Sequence, residues 1–238
     1  MKLKDFLNVT KEEFLTYYNN CILFGVNPIE DAFIFVDKTK NVILDPSECQ
    51  DSEVFVPYFV NTIGRQAYFI NGYRGPNRTW NHIKEIDLNR VSTISAYAMY
   101  GYYALQTIYA PNLRAIGEQG LTSTTVMELI APKLERLGAY SLMCSRIEEL
   151  EFIGKEIDLT TFQFSKIRTV NAKNLEKIKW SGDLDSMQYV PNFLLKKLSN
   201  KINIFCGKSS VTILAPNEIE SKELIYILKR IYIKEKYI

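Results

Sequence analysis

The sequence is poor in the residues on which most enzymatic and metal-binding sites depend. It contains a single histidine, His82, and four cysteines that are far apart and form no CxxC pair. A catalytic triad would have to use His82, and neither a zinc site nor a disulfide framework is indicated. No G-x-x-x-x-G-K-[ST] or G-x-G-x-x-G motif occurs, so a nucleotide-phosphate cradle is not indicated either. We therefore predict a protein that is not an enzyme and uses no metal or cofactor.

Long apolar runs and an excess of charge of one sign are also missing. No stretch approaches the ~18 apolar residues of a membrane-spanning helix. The N-terminal segment, which soon reaches Lys11, Glu12 and Glu13, does not look like a secretory signal. A net charge of +2 over 238 residues gives no strong attraction to nucleic acid or membranes. These features predict a cytoplasmic protein, or one in the host cell or virion if it is virus-encoded.

What the sequence does contain is an apolar pattern that recurs every 20 to 22 residues. Each copy reads apolar, two residues, apolar, one residue, and then small or apolar. A fixed period of this length is typical of a solenoid, whose short units pack mainly on their neighbours. The copies begin at Ile83, Leu105, Val126, Ile147 and Ile167, and their second apolar positions are Ile86, Ile108, Leu129, Leu150 and Val170.

A second motif is repeated within this pattern. Residues 110–117 read APNLRAIG, and 21 residues later residues 131–138 read APKLERLG. The proline suits a strand end, and the final glycine suits a turn that needs a positive φ. Together with residues 54–69, these units resemble the BspA-type leucine-rich repeat, which runs roughly I-x-I-P-x-x-V-x-x-I-G-x-x-A-F. The resemblance covers about residues 54–180. It implies a leucine-rich-repeat array, and similar proteins occur on bacterial and protozoan surfaces, where they are implicated in adhesion.

We predict a strand-rich α/β solenoid, a leucine-rich repeat array of about six coils over residues 51–182. Residues 1–50 are expected to form an N-terminal cap, because the first coil would otherwise expose an apolar face. This cap would consist of a helix over residues 10–21, with Thr10 as its N-cap, and a hairpin over residues 32–44.

The period fades after Gly182, and residues 183–238 are predicted to form a C-terminal cap. Its expected elements are a short helix over residues 191–198, strands over 202–205 and 211–214, and a final helix from about Glu218. The period is also interrupted twice within the array, by an insertion over residues 70–82 and by a unit at residues 153–157 that lacks the proline. Insertions in solenoids map to loops on one side, often the binding side.

The residues that flank the second apolar position of each unit should point outward, because strand side chains alternate between faces. Five of these ten residues are acidic and none is basic. Such a surface suits a basic partner, although charges on a solvated sheet also serve solubility. The predicted partner-binding residues on this surface, which we call the acidic strip, are Glu85, Asp87, Tyr109, Glu128, Ile130, Glu149 and Glu151.

A second candidate surface is the insertion with its flanking aromatic residues. Tryptophan, tyrosine and arginine dominate interface hot spots, and they also stack on nucleic-acid bases. Alternatively, these aromatics pack under the loop and close the side of the solenoid. The candidate contacts are Tyr73, Arg74, Arg78 and Trp80 in the insertion, with Tyr97, Tyr100, Tyr102 and Tyr103 in the next coil.

The predicted function is non-enzymatic recognition of another protein by a rigid, preorganised face. The expected partner is a protein with a basic surface, and neither nucleic acid nor a membrane is expected. An intracellular adaptor or a virus-encoded protein suits a chain without an export signal. The alternatives are a structural subunit of a virion or lattice and, more distantly, an adhesin-type surface protein lacking its export signal.

Overall fold

The computed structural model describes residues 3–6, 8–23, 33–36, 38, 40–45, 56–57, 59–64, 83–198, 201–214 and 217–237. Over these residues the chain is a strand-rich solenoid of about six coils, which confirms the predicted solenoid architecture. A helix lies near each end. The helices are α1 (Lys11–Leu23) and α2 (Ser221–Tyr237).

Each coil contributes short strands to two stacks that run along the solenoid. The elements in chain order are β1 (Phe33–Val36), β2 (Val42–Asp45), β3 (Thr62–Ile63), β4 (Glu85–Asp87), β5 (Thr93–Ile94), β6 (Thr107–Tyr109), β7 (Ala115–Ile116), β8 (Glu128–Ile130), β9 (Arg136–Leu137), β10 (Glu149–Glu151), β11 (Glu156–Asp158), β12 (Thr169–Asn171), β13 (Lys177–Trp180), β14 (Leu194–Lys196), β15 (Lys201–Cys206), β16 (Ser209–Leu214) and β17 (Glu218–Glu220).

The first stack carries the acidic strip and the second faces another side of the solenoid. In the first stack β4, β6 and β8 form one sheet, and β10, β12, β14 and β17 form another. In the second stack β1, β2, β3, β5, β7 and β9 form one sheet, and β11, β13, β15 and β16 form another. Both stacks are therefore interrupted between the same two coils.

The interior is built from aliphatic columns, as the apolar period predicted. The parallel register pairs Ile86 with Ile108 and Ile108 with Leu129. Beyond the interruption it pairs Leu150 with Val170 and Val170 with Leu195, and all these side chains are 9% exposed or less. Each buried aliphatic contributes about 1.5–3 kcal/mol relative to exposure, so neighbouring coils stabilise one another.

The repeated glycines serve a purpose different from the predicted one. Gly117 and Gly138 do not have positive φ. A Cβ at Gly117 would instead overlap the backbone nitrogen of Ala96, and one at Gly138 would overlap that of Glu118. Glycine is therefore needed here because successive coils approach closely, and the prediction of a positive φ was wrong.

The described part of the N-terminal segment contains the predicted helix and hairpin. The Thr10 amide donates to a Glu13 carboxylate oxygen at 2.8 Å, and the Glu13 amide donates to Thr10 Oγ1 at 3.2 Å, which is a capping box at the start of α1. Phe14 of α1 stacks on Phe59, with 4.2 Å between ring centroids. β1 and β2 are antiparallel, and β2 also pairs in parallel with β3. The hairpin thus joins the second stack directly.

The C-terminal segment departs from the prediction at two places. The helix predicted over residues 191–198 is wrong, because β14 pairs there with β12 in parallel and with β17 in antiparallel fashion. Phe193 and Leu195 alternate inward, a two-residue period that the run Leu-Leu-Lys-Lys hides. The last helix begins at Ser221 rather than near Glu218, because β17 occupies residues 218–220.

Parallel pairing continues beyond residue 182, since β15 pairs with β13. The two strands predicted over residues 202–205 and 211–214 are confirmed as β15 and β16, which form an antiparallel hairpin. α2 buries Leu224, Leu228 and Ile231, and it packs on both strands of this hairpin and on β17.

Candidate functional site

The structure places all seven residues of the acidic strip on the outer face of the first stack. β4, β8 and β10 each have a buried central residue between two exposed ones, and Tyr109 is exposed at the end of β6. The predicted outward orientation follows from the alternation of side chains along a strand. The role of these residues in binding remains a prediction.

The carboxylates of the strip differ in whether they have a partner. Asp87 accepts a hydrogen bond from the Asn89 amide at 2.9 Å. Glu151 accepts one from Asn171 Nδ2 at 2.7 Å and lies 3.6 Å from Lys197 Nζ. The remaining three carboxylates form no hydrogen bond or ion pair with any described residue, and they are Glu85, Glu128 and Glu149.

The hydrogen-bond ladder of the first stack is open between β8 and β10. The Glu128 amide donates to Gln106 O at 3.1 Å, and the Thr169 amide donates to Glu148 O at 3.0 Å. The equivalent bond, from the Glu149 amide to Met127 O, is not formed. Most Cα–Cα distances between the two strands exceed 8 Å.

Both strands consequently present free backbone groups to the opening. In a parallel ladder alternate residues bond to opposite neighbours, and Leu150 and Phe152 donate toward β12. The amides of Glu149 and Glu151 on β10, and of Leu129 and Ala131 at β8, therefore point into the opening. None of these four amides has an acceptor among the described residues.

The opening is local, because the coils remain bonded on either side of it. The Arg146 amide donates to Val126 O at 3.0 Å before the strands, and the Ile153 amide donates to Leu134 O at 2.8 Å after them. The result is a bounded groove of about 870 Å³ on the outer face of the stack. We call it the β8–β10 groove.

We attribute the interruption to the size of Phe152. It stands where three other units have Ala110, Ala131 and Ala172 and the first unit has Leu88, and its side chain is fully buried. A Cβ at Gly154 would overlap both Phe152 Cζ and the Glu135 carbonyl oxygen. The ring thus fills the interior between two coils, and glycine makes room for it where the proline-containing turn is absent.

The walls of the β8–β10 groove carry charges of both signs. Glu128, Glu149 and Glu151 lie along the strands, and Met127, Ile130 and Pro132 add exposed apolar surface. A basic group, Arg146, Lys166 and Arg168, lies where β10 and β12 begin. This basic group was not predicted, because it lies outside the strand positions that flank the buried apolar residues. The sequence does contain a signal for this group, because Arg146 and Lys166 each directly precede the first apolar residue of a repeat unit.

The insertion residues Tyr73, Arg74, Arg78 and Trp80 lie outside the described residues, as does His82. The aromatic residues of the following coil do not form one exposed surface. Tyr102 is buried and Tyr103 is exposed, while the Tyr97 hydroxyl donates to Glu118 Oε1 at 3.0 Å. The alternative of packing inside the solenoid therefore holds for Tyr102, which was wrongly considered as a contact.

A second charged cluster lies on the other stack and has a structural role. Glu156 on β11 lies 3.0 Å from Lys177 Nζ and also pairs with Lys179, both on β13. Burial opposes ionisation of Glu156, but the hydrogen bonds from Lys179 and Lys177 outweigh it and lower the pKa of the carboxyl. Lys177 Nζ also lies 4.6 Å from the ring centroid of Phe205 on β15. The cluster links three neighbouring strands.

Within the described ranges, no group of three or more His, Cys, Asp or Glu residues is arranged to hold a metal ion. No helix in the described part of the chain has the length and apolar character needed to cross a bilayer.

No protein-family model matches the chain, and no curated protein matches it. Three solved structures are similar. A leucine-rich cell surface protein from Faecalibacterium prausnitzii is 13% identical over 63% of this chain and 43% of its own, with a TM-score of 0.48. A leucine-rich repeat protein from Eubacterium ventriosum is 13% identical over 64% of this chain and 42% of its own, with a TM-score of 0.41. A leucine-rich repeat protein from Bacteroides ovatus is 16% identical over 64% of this chain and 49% of its own, with a TM-score of 0.38. The chain spans less than half the length of each.

Proposed function

We propose that this chain is a protein-recognition module that binds the basic surface of another protein through the acidic strip. The observation that carries the proposal is the pair Glu128 and Glu149. They face solvent on the two sides of the β8–β10 groove, and neither has an ion-pair partner among the described residues. Carboxylates that serve only to stabilise a sheet are expected to have cross-strand cations, as Glu156 does.

The scaffold supports such a role because the strip is preorganised. Its residues alternate with buried side chains of a parallel array, so little ordering is needed when a partner binds. The overall charge of +2 is small, so attraction of a basic partner would come from the carboxylates of the strip. Complementary charges mainly raise the association rate and select the partner, and salt screens them over about 8–10 Å.

The experiment is affinity capture followed by mass spectrometry, with the intact chain compared with Glu128→Lys/Glu149→Lys. Glu12→Lys/Glu218→Lys makes the same change in net charge at exposed sites outside the strip and is the matched control. We expect the strip variant to lose the captured partner and the control to retain it. Equal capture by all three proteins would refute the proposal.

The structural-subunit alternative is favoured by one observation at the C-terminal end. Val211 and Leu214 of β16 and Ile233 of α2 are 42%, 78% and 49% exposed, and β16 pairs only with β15 among the described strands. An unpaired, apolar sheet edge is a template for association. Sedimentation over a hundredfold range of concentration tests this alternative, which requires a stable oligomer, whereas a monomer throughout removes it.

A further inference from the structure

We propose that the β8–β10 groove takes up an extended segment of the partner protein as an added β-strand, with a lysine or arginine of that segment between Glu128 and Glu149. The inference rests on the proposed function and names how the partner is held. The ligand is a peptide in extended conformation rather than a folded surface that touches the strip from outside.

The two open strand edges offer backbone groups to which an added strand can bond. Four amides face the groove without an acceptor, those of Leu129, Ala131, Glu149 and Glu151. Extended peptides bind at such edges through main-chain hydrogen bonds. Adjacent strands lie about 4.8 Å apart, so one inserted strand needs about 9.6 Å between β8 and β10. Most Cα separations between residues of the two strands, diagonal pairs included, exceed 8 Å, and insertion requires the strands to move apart between the flanking coil-to-coil bonds.

The charges beside the groove determine which residue fits at the centre of the inserted strand. Its outward side chains would lie beside the outward side chains of both neighbours, about 4.5–5.5 Å away between Cβ atoms. Glu128 flanks the groove on β8 and Glu149 flanks it on β10, and both carboxylates lack a described partner. A cation on the segment would pair with both, whereas a carboxylate there would be repelled twice.

The groove also restricts the rest of the segment. Arg146, Lys166 and Arg168 lie at the end where β10 begins, and although Arg168 pairs with Glu148 at 3.4 Å, the group favours an acidic side chain there. Inward positions must be small and apolar, because the Phe152 ring already fills the interior. Leu129 is 9% exposed, against 1% for Leu150, and would be covered by such a side chain.

The first test concerns the free protein. Backbone amide exchange by NMR should show the Glu149 and Glu151 amides exchanging much faster than that of Thr169, which is bonded to Glu148 O in the same sheet. Equal protection of these amides would mean that the two strands pair in solution, and the proposal would be wrong.

The second test uses a display library of random heptapeptides, selected against the full chain. Selected peptides should carry Lys or Arg at the centre and alternate small apolar residues with polar ones. N-methylation of alternate backbone nitrogens, and replacement of the central cation by Glu, should each weaken binding about tenfold. Binding should also slow exchange of the Glu149 and Glu151 amides.

Matched variants separate this inference from the proposed function. Glu128→Lys/Glu149→Lys should lose the peptide, whereas Glu85→Lys, on the strip but outside the groove, should keep it. If binding needs the two carboxylates but tolerates N-methylation, strand insertion is refuted and recognition by the strip stands. If no peptide is enriched, insertion is likewise refuted. If the selected peptides bind Glu128→Lys/Glu149→Lys as tightly as they bind the intact chain, both proposals are refuted.

Discussion

Replacing Gly154 with alanine tests the proposed cause of the groove most directly. The new Cβ would overlap the carbonyl oxygen of Glu135 in the preceding coil and Cζ of Phe152 in its own coil, and it would lie 2.8 Å from the Glu135 carbonyl carbon. The carbonyl belongs to the backbone and cannot rotate away. The coils must therefore separate next to the bond from the Ile153 amide to Leu134 O, which is 2.8 Å long.

The expected loss in free energy of unfolding is about 2 kcal/mol. Overpacking of a well-filled interior costs about 1–3 kcal/mol, and weakening one backbone hydrogen bond adds about 0.5–1.5 kcal/mol. Alanine offsets about 0.4–1 kcal/mol of this by restricting the unfolded chain. A net loss of this size is a substantial part of the ~5–15 kcal/mol typical of a folded domain.

Urea unfolding followed by circular dichroism measures this loss. With a slope of about 2–3 kcal/mol per molar, the midpoint should fall by about 0.7–1 M. Lys133→Ala is the control, because Lys133 holds the equivalent position one unit earlier and is exposed. It should change stability by no more than about 0.5 kcal/mol.

A double variant then tests the contribution of the ring. If Phe152 crowds the Gly154 position, Phe152→Leu/Gly154→Ala should be less destabilised than the sum of its single variants, with a coupling of about 0.5–3 kcal/mol. An unchanged midpoint for Gly154→Ala would contradict the close approach of the two coils at this glycine, and strict additivity in the double variant would refute the role given to Phe152.

Three further outcomes follow from the structure. Leu150→Ala removes a buried side chain and should lower the free energy of unfolding by about 2–5 kcal/mol in urea; a loss below 1 kcal/mol would mean that the column is not close-packed. The hydrogen bonds from Lys179 and Lys177 lower the pKa of Glu156. Its carboxylate therefore stabilises the fold above the unfolded-state pKa of about 4.3, and this stabilisation is lost as pH falls through the lower pKa of the folded state. Glu156→Gln should therefore reduce the pH dependence of stability below about pH 5, by less than 1 kcal/mol, and an identical pH profile would contradict this. Thr10→Ala removes the hydroxyl that accepts from the Glu13 amide and should cost about 1 kcal/mol, with faster amide exchange in the first turn of α1; unchanged exchange there would show that the cap is not formed.

The repeat period was sufficient to predict the architecture because it records which side chains are inside. Ile86, Ile108 and Leu129 are buried in the predicted column, and their neighbours face outward. The hairpin of β1 and β2 and the helix α1 were also predictable, since turn and capping residues act locally. β14 was not, because its pairing with β12 and β17 is a tertiary interaction that overrides local propensity.

The groove could not be predicted from the period because Phe152 keeps the pattern intact. A pattern of apolar positions registers phenylalanine and alanine alike, although the two side chains differ greatly in volume. The missing proline and the shorter step to the next unit did mark the unit as different. They did not indicate that the hydrogen-bond ladder would open, since the close packing of Phe152, Gly154 and the Glu135 carbonyl beside the opening is a tertiary feature.

The unpaired stretch between β8 and β10 also divides the molecule mechanically. Cooperativity in a repeat array passes from each unit to the next across their shared boundary, and this boundary has lost part of its bonding in both stacks. The protein should therefore behave as two short blocks joined by a weak seam. Under heat or an applied pulling force, the two blocks should separate at this boundary before either of them unfolds.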